Sequence, residues 1–351
     1  MVNRKFLPKT ALPIWLELLR QQAVLVAPRR VAGAYVFAEI QTPAEVELDY
    51  STTLLPPKKY LLPPHETLLQ FDQQNGGAHP VFEPVPTILL GVHACDMHAI
   101  RLLDQVYAGR FPDQHYQARR ANLLLVSLEC LKPCHPEAFC RDMETHSVPD
   151  NYDLHLTDLG DGYSVDIGTP GGEALLQGVS DLLDFGPEHQ RQYQRALSLK
   201  WSRFTYQLQP GVAELPALLG LSYKSTLWAE LGERCLSCGA CNLVCPTCSC
   251  FEVSDEIDLT LTRGERVRTW DSCQLNSFAV VAGGHDFRPT RADRLRHRFS
   301  HKYKYQPAAH GLAGCVGCGR CALACLANIS PVEVLNNLYQ RRALPAGERR
   351  G

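Results

Sequence analysis

The spacing of four cysteines between Arg234 and Phe251 constrains this chain more than any other feature. Cys235, Cys238, Cys241 and Cys245 follow the pattern C-x2-C-x2-C-x3-C, with Pro246 next, and Cys315, Cys318, Cys321 and Cys325 repeat that pattern further on. Three thiolates so close together can hold three corners of an iron–sulfur cube only if the loop wraps around it. The fourth then opens the following turn and points away, toward a second cube. The assignment read from this spacing puts Cys235, Cys238, Cys241 and Cys325 on one 4Fe–4S cluster and Cys245, Cys315, Cys318 and Cys321 on another. Small residues between the thiolates (Ser237, Gly239, Ala240, Gly317 and Gly319) let backbone N–H groups approach sulfur and spread its charge. The other class of reading is a zinc-holding scaffold with no redox role, but zinc usually takes its cysteines in pairs. A disulfide framework belongs to oxidising compartments, and a total of 15 cysteines is odd.

At 351 residues the chain has room for two or three domains. Its 45% hydrophobic and 21% charged content is that of an ordinary globular protein, and a net charge of −2 argues against nucleic acid or an anionic membrane as partner. The opening residues hold neither a secretory core nor a twin arginine, and no apolar run is long enough to span a bilayer. The expectation is a cytoplasmic protein with no membrane contact. No Walker lysine and no G-x-G-x-x-G appears, so no flavin or nicotinamide is expected on this chain.

The fold class expected is α+β / α/β. Residues 1–215 read as an N-terminal α/β domain with a parallel βαβ core, and residues 216–351 as a two-cluster ferredoxin-like domain with a long insertion at 251–310. Thr87–Val92 and Leu123–Leu128 read as buried strands flanking a helix from Met97 to Tyr107, which makes the βαβ unit. A short helix is expected over 10–22 and strands over Val24–Ala27 and Ala34–Ile40. Pro56–Pro64 (PPKKYLLPP) should run extended over the surface. Tyr152–Ile167 reads as a hairpin turning at Gly160–Gly162. Helices are expected over Glu173–Phe185, Pro187–Gln207 and Leu215–Gly232, with Ser225 as a cap for the segment that delivers the first cluster loop.

Cys95 and Cys130 fall just past the two buried strands, at the carboxyl edge of one sheet, where α/β proteins gather ligands. Cys134 and Cys140 follow on the next loop, so Cys95, Cys130, Cys134 and Cys140 form a candidate third cluster, with His93, His98, His135 and Asp96 nearby. Cys248, Cys250 and Cys273 stay unassigned. His285 or Asp271 could complete a site with them, but inert packing or an outer-shell role beside the cubes is the favoured reading. Arg288–Tyr305 carries seven lysines and arginines against one aspartate. With two clusters close by, these cations are expected to offset negative charge or to dock an acidic partner rather than bind nucleic acid.

The segments GVHACD (91–96), CLSCGACNLVCPTCSCF (235–251), RTWDSCQ (268–274), VAGGHDFRPT (281–290), CVGCGRC (315–321) and PPKKYLLPP (56–64) together resemble the iron–sulfur beta subunit of soluble NAD(P)-coupled nickel–iron hydrogenases, the sulfhydrogenases. The likeness runs from about residue 35 to about residue 340. It implies an electron-transfer subunit with no catalytic residues of its own. Such a subunit relays single electrons between a flavin NAD(P)H-oxidising subunit and the hydrogenase small and large subunits. The A subunit of anaerobic sulfite reductase is a sister family with the same relay role. Two positions depart from the resemblance. Relatives carry C-x-C where this chain has Ala138-Phe139-Cys140, and Leu326 stands where a proline usually follows the last cysteine.

Overall fold

The computed structural model describes residues 3–72, 76–82 and 84–343. The chain opens with β1 (Arg4–Pro8), α1 (Leu12–Gln22), β2 (Val24–Val31) and β3 (Ala34–Glu39), followed by β4 (His65–Asp72) and β5 (Gly77–Pro80). Next come β6 (Thr87–His93), α2 (Ala94–Tyr107), α3 (Gln114–Ala121) and β7 (Leu123–Leu128). β8 (Leu154–Asp158), β9 (Gly162–Ile167), α4 (Pro170–Ala174), β10 (Leu183–Asp184) and α5 (Pro187–Arg203) complete this half.

Eight strands form one mixed sheet in the order β10-β1-β9-β8-β7-β6-β2-β3. Its centre is parallel, β2 with β6, β6 with β7 and β7 with β8, and antiparallel strands extend it on both sides. Ile88 to His93 are all buried, as a strand covered on both faces requires. Trp15, Leu16 and Leu19 of α1 and Ile100 and Leu103 of α2 supply part of that cover. A register shift between Leu90 and Val92 marks a bulge at Gly91, whose φ of 81° suits glycine. Tyr50 Oη donates to the Gly91 carbonyl at 2.7 Å, which fixes the strand end just before His93 and Cys95.

The second half contains α6 (Leu215–Leu221), α7 (Leu227–Arg234), α8 (Ala240–Leu243), the hairpin β11 (Phe251–Ile257) and β12 (Arg263–Trp270), α9 (Arg291–Ser300), α10 (Gln306–His310), α11 (Arg320–Leu323) and α12 (Pro331–Ala343). A wider helical turn, His301–Tyr305, joins α9 to α10. Leu215, Leu218, Trp228, Leu231, Leu295, Phe299 and Leu335 build its core, and Phe139 and Met143 reach in from the loop after β7. β12 also pairs with β4, so the order β11-β12-β4-β5 forms a second sheet from strands on either side of residue 215.

The mixed α/β sheet with a parallel core agrees with the expectation, but several local readings change. PPKKYLLPP is not an exposed extended run. Pro57–Tyr60 forms a 3-10 turn, and Pro57, Lys58, Leu61 and Leu62 are buried because β12 and the cysteine-rich loop cover them. β2 continues through Arg29 and Arg30, which pair across to β3. α2 begins at Ala94, so Cys95 lies in its first turn. The helix expected over Glu173–Phe185 stops at Ala174. That expected over Leu215–Gly232 breaks between Leu221 and Leu227, where Ser225 Oγ accepts from the Leu227 N–H at 3.3 Å. Among the described residues no helix is long and apolar enough to cross a membrane.

Candidate metal centre

The two cysteine runs fold into matching cradles. Ser237 and Gly317 adopt φ of 53° and 64°, and Gly239 and Gly319 adopt 77° and 69°. Each run therefore reverses direction twice before its short helix, α8 or α11. The positive φ values turn amides inward. Ser237 N–H donates to Cys235 Sγ at 3.4 Å, Gly317 N–H to Cys315 Sγ at 3.5 Å, and Ile329 N–H to Cys325 Sγ at 3.3 Å.

Cys235, Cys238, Cys241 and Cys325 line one hollow together with Leu295, Phe299 and Ile329. Cys245, Cys315, Cys318 and Cys321 line another with Phe139 and Tyr303. Cys321 borders both, so the hollows adjoin. Among the described residues no three Cys, His, Asp or Glu side chains converge closely enough to hold a single metal ion. The thiols ring spaces instead of meeting at a point.

Cations stand close to the hollows, and one of them, Arg320, is paired with Asp96. Arg298, Lys302 and Arg320 are buried. Arg298 Nε donates to Asn242 Oδ1 at 2.9 Å, and Lys302 Nζ donates to Thr247 Oγ1 at 2.8 Å and to the Gly314 carbonyl at 3.0 Å. These partners are neutral, and among the described residues neither cation has a carboxylate in salt-bridge range. Burial alone would push the Lys302 ammonium down, yet Cys245 and Cys248 hold it above its usual value. The Arg298 guanidinium is likewise raised, its burial outweighed by Cys241, Cys321, Cys248 and Cys245. Two buried cations balanced only by sulfur fit an anionic group bound through thiolates. The basic run Arg288–Tyr305 thus turns part of its charge inward, onto the cysteine loops.

The N-terminal cysteines gather where the sheet edge meets the second cradle. Cys134 Sγ lies 3.6 Å from His93 Nδ1, and Cys134 is close enough to raise the Cys130 thiol. Burial, then Cys130, push the Cys140 thiol up to about 12. Cys95 packs with Val316 and Cys318 and is close enough to Cys134 to be raised by it. His135 Nε2 is 3.0 Å from the Cys318 carbonyl, and His98 Nε2 is 2.9 Å from the Ser147 carbonyl. Asp96 pairs with Arg320. Next to this cluster an open cavity of about 530 Å³ is lined by Tyr50, His93, Glu129, Cys130, Lys132 and Cys134.

Sequence reasoning missed Lys58. Its buried ammonium donates to the Cys248 carbonyl at 2.6 Å and lies 4.3 Å over the Trp270 ring. The surrounding prolines signalled an outer loop, and only the fold brings this lysine beside the first cradle. Cys248 lies close enough to Cys245, and Cys250 to Cys273, for each to act on the other's titration. Neither Asp271, whose N–H donates to the Cys250 carbonyl at 3.0 Å, nor His285, stacked edgewise on Phe287, completes a metal site with them.

Residues 234–329 match the family described as a 4Fe-4S dicluster domain. The chain is 35% identical over 330 residues to the sulfhydrogenase 2 subunit beta of Pyrococcus furiosus, an alignment covering 93% of this chain and 96% of that protein. No solved structure matches.

Proposed function

Because the chain belongs to the iron–sulfur beta subunits of sulfhydrogenases, we propose that it relays electrons inside a cytoplasmic hydrogenase complex, between a flavin subunit that oxidises NAD(P)H and the nickel–iron small and large subunits. The carrying observation is the exchange of fourth thiolates. Cys325 borders the hollow of the first run and Cys245 that of the second. In this reading Cys235, Cys238, Cys241 and Cys325 hold one 4Fe–4S cluster, and Cys245, Cys315, Cys318 and Cys321 hold the other.

Bound cubes supply reversible one-electron exchange with little change in geometry. The chain's own residues set the conditions. Amides of Ser237, Gly317 and Ile329 polarise sulfur, and Arg298 and Lys302 supply fixed positive charge. Leu295, Phe299 and Ile329 give the first hollow an apolar wall. A third cluster held by Cys130, Cys134, Cys140 and Cys95 extends the path. The position of Cys95 beside Cys318 supports a link from that site to the second cradle. In this reading no flavin or nicotinamide sits on this chain.

Protein purified anaerobically tests the reading. Two cubes require about 8 iron atoms per chain and three require about 12, with a brown absorbance bleached by dithionite. Zinc in place of iron refutes it. A siroheme protein among the co-purifying subunits, in place of a nickel–iron one, refutes the choice of complex.

A further inference from the structure

Outside the eight cradle cysteines and the N-terminal four, one sulfur pair stands out. Cys250 ends the loop that leaves the first cradle, and Cys273 follows β12. The antiparallel register Phe251↔Trp270 closes the hairpin between them, and Asp271 N–H bonds back to the Cys250 carbonyl. The hairpin thereby brings two cysteines distant in sequence to the same end, close enough for each to act on the other's titration.

Their surroundings differ. Cys273 is buried and collects donors, with Asn242 Nδ2 at 3.0 Å and Gln274 Nε2 at 3.6 Å. Cys250 is only partly buried. The Cys250 thiol, then Asn242 and Gln274, lower Cys273 against the opposing effect of burial, which makes it the more nucleophilic member of the pair. The pair is also tied to the first cradle. The Asn242 side chain that donates to Cys273 lies with its Oδ1 3.7 Å from Cys241 Sγ, and Gly239 of the same loop faces Ser272. One amide side chain thus separates Cys273 from a thiolate read as a cluster ligand.

We propose that Cys250 and Cys273 are a redox-active pair that cycles between dithiol and disulfide in electronic contact with the first cluster. On oxidation the S–S bond forms, two S–H protons leave and two electrons pass, one at a time, to oxidised one-electron iron–sulfur carriers. On reduction two reduced carriers return one electron each, two protons are taken up and the S–S bond breaks. The chain then holds a two-electron store in series with one-electron centres. This rests on the cluster reading for its electron partner, while the sulfur chemistry is measured separately.

The test uses intact, iron-loaded chain poised anaerobically at a series of potentials, then quenched with an alkylating reagent and mapped by mass spectrometry. At the oxidising end the expected product is a linked Cys250–Cys273 peptide, lighter by two hydrogens than the reduced pair. At the reducing end both cysteines are alkylated. In a reductive titration wild type takes up two more electrons than Cys250→Ser or Cys273→Ala, with iron content and cluster absorbance the same in all three. The proposal is overturned if both cysteines alkylate at every potential that leaves the iron in place. It is equally overturned if either substitution lowers iron content, which would make the sulfurs cluster ligands. Should Cys273→Ala fail to fold, Cys250→Ser and the wild-type peptide map decide alone. Iron-free wild type would instead sink the cluster reading and leave the peptide map interpretable.

Discussion

Arg320 Nη1 and Nη2 each donate to the Asp96 carboxylate at 2.7 Å, and both side chains are almost wholly buried. Arg320 opens the short helix after Cys318, and Asp96 lies in the first turn of α2, so this pair clamps the second cradle to the sheet. Its Nε and Nη2 also bond Thr53, at 3.0 and 3.2 Å.

Breaking one side of this clamp leaves a buried, uncompensated charge. Arg320→Leu is expected to cost about 3–5 kcal/mol, and Arg320→Leu with Asp96→Leu to recover much of that loss. Urea unfolding of the iron-loaded chain followed by fluorescence measures both. Equal losses in the single and double variants would contradict the clamp.

Alanine at Gly317 meets two obstacles. The φ of 64° strains any side chain, and a Cβ would lie 2.6 Å from Cys140 Cα and from the Phe139 carbonyl oxygen. At Gly239 the φ is similarly left-handed, but the nearest atom is Ser272 Cβ at 3.0 Å. Gly317→Ala is therefore expected to destabilise by more than Gly239→Ala, with on the order of 1–3 kcal/mol for the backbone strain alone. Limited proteolysis of the loop around Cys140 gives the ranking.

Removing a buried cation beside the second cradle disfavours the extra electron of the reduced state. A unit charge roughly 7 Å away in an effective dielectric of about 20 contributes about 2.4 kcal/mol, on the order of 100 mV for a one-electron couple. Lys302→Gln should lower one cluster potential by that order, and an anaerobic titration followed by electron paramagnetic resonance reads the shift. An unchanged potential would mean that the charge of Lys302 does not act on the cluster.

Acid should weaken the fold through His297 and His301, whose ring centroids are 5.8 Å apart. Burial, then neighbouring cations, depress both to about 4, with Arg288 next for His297 and Lys302 next for His301. The unfolded chain therefore takes up these protons below about pH 6.5 while the folded one resists until about pH 4. Stability falls across that window and is fully present above it. After allowance for partial exposure the loss at pH 5 is about 1 kcal/mol per histidine. Urea midpoints at pH 7 and pH 5 should differ less in His297→Gln with His301→Gln than in wild type.

Much of the candidate site was legible because its logic is local. Three thiolates within seven residues impose a wrapped loop whatever surrounds it, and buried apolar runs such as Thr87–His93 announce a covered strand. Lys58 was misread for the complementary reason. Its proline-rich neighbours describe a backbone that resists regular structure, but they say nothing of what will cover it. The packing of Cys95 against Cys318 likewise depends on α2 starting at Ala94, which the cysteine spacing does not announce.

By itself, then, the sequence determined the paired cysteine nests and the strand–helix–strand beside them, since both follow from spacings of a few residues. Only the tertiary structure decided which cations face sulfur, that Arg320 closes on Asp96, and that Cys250 meets Cys273. Those contacts join residues far apart in the chain. Each depends on how strands and helices stack to bury apolar surface, which no short window of residues encodes.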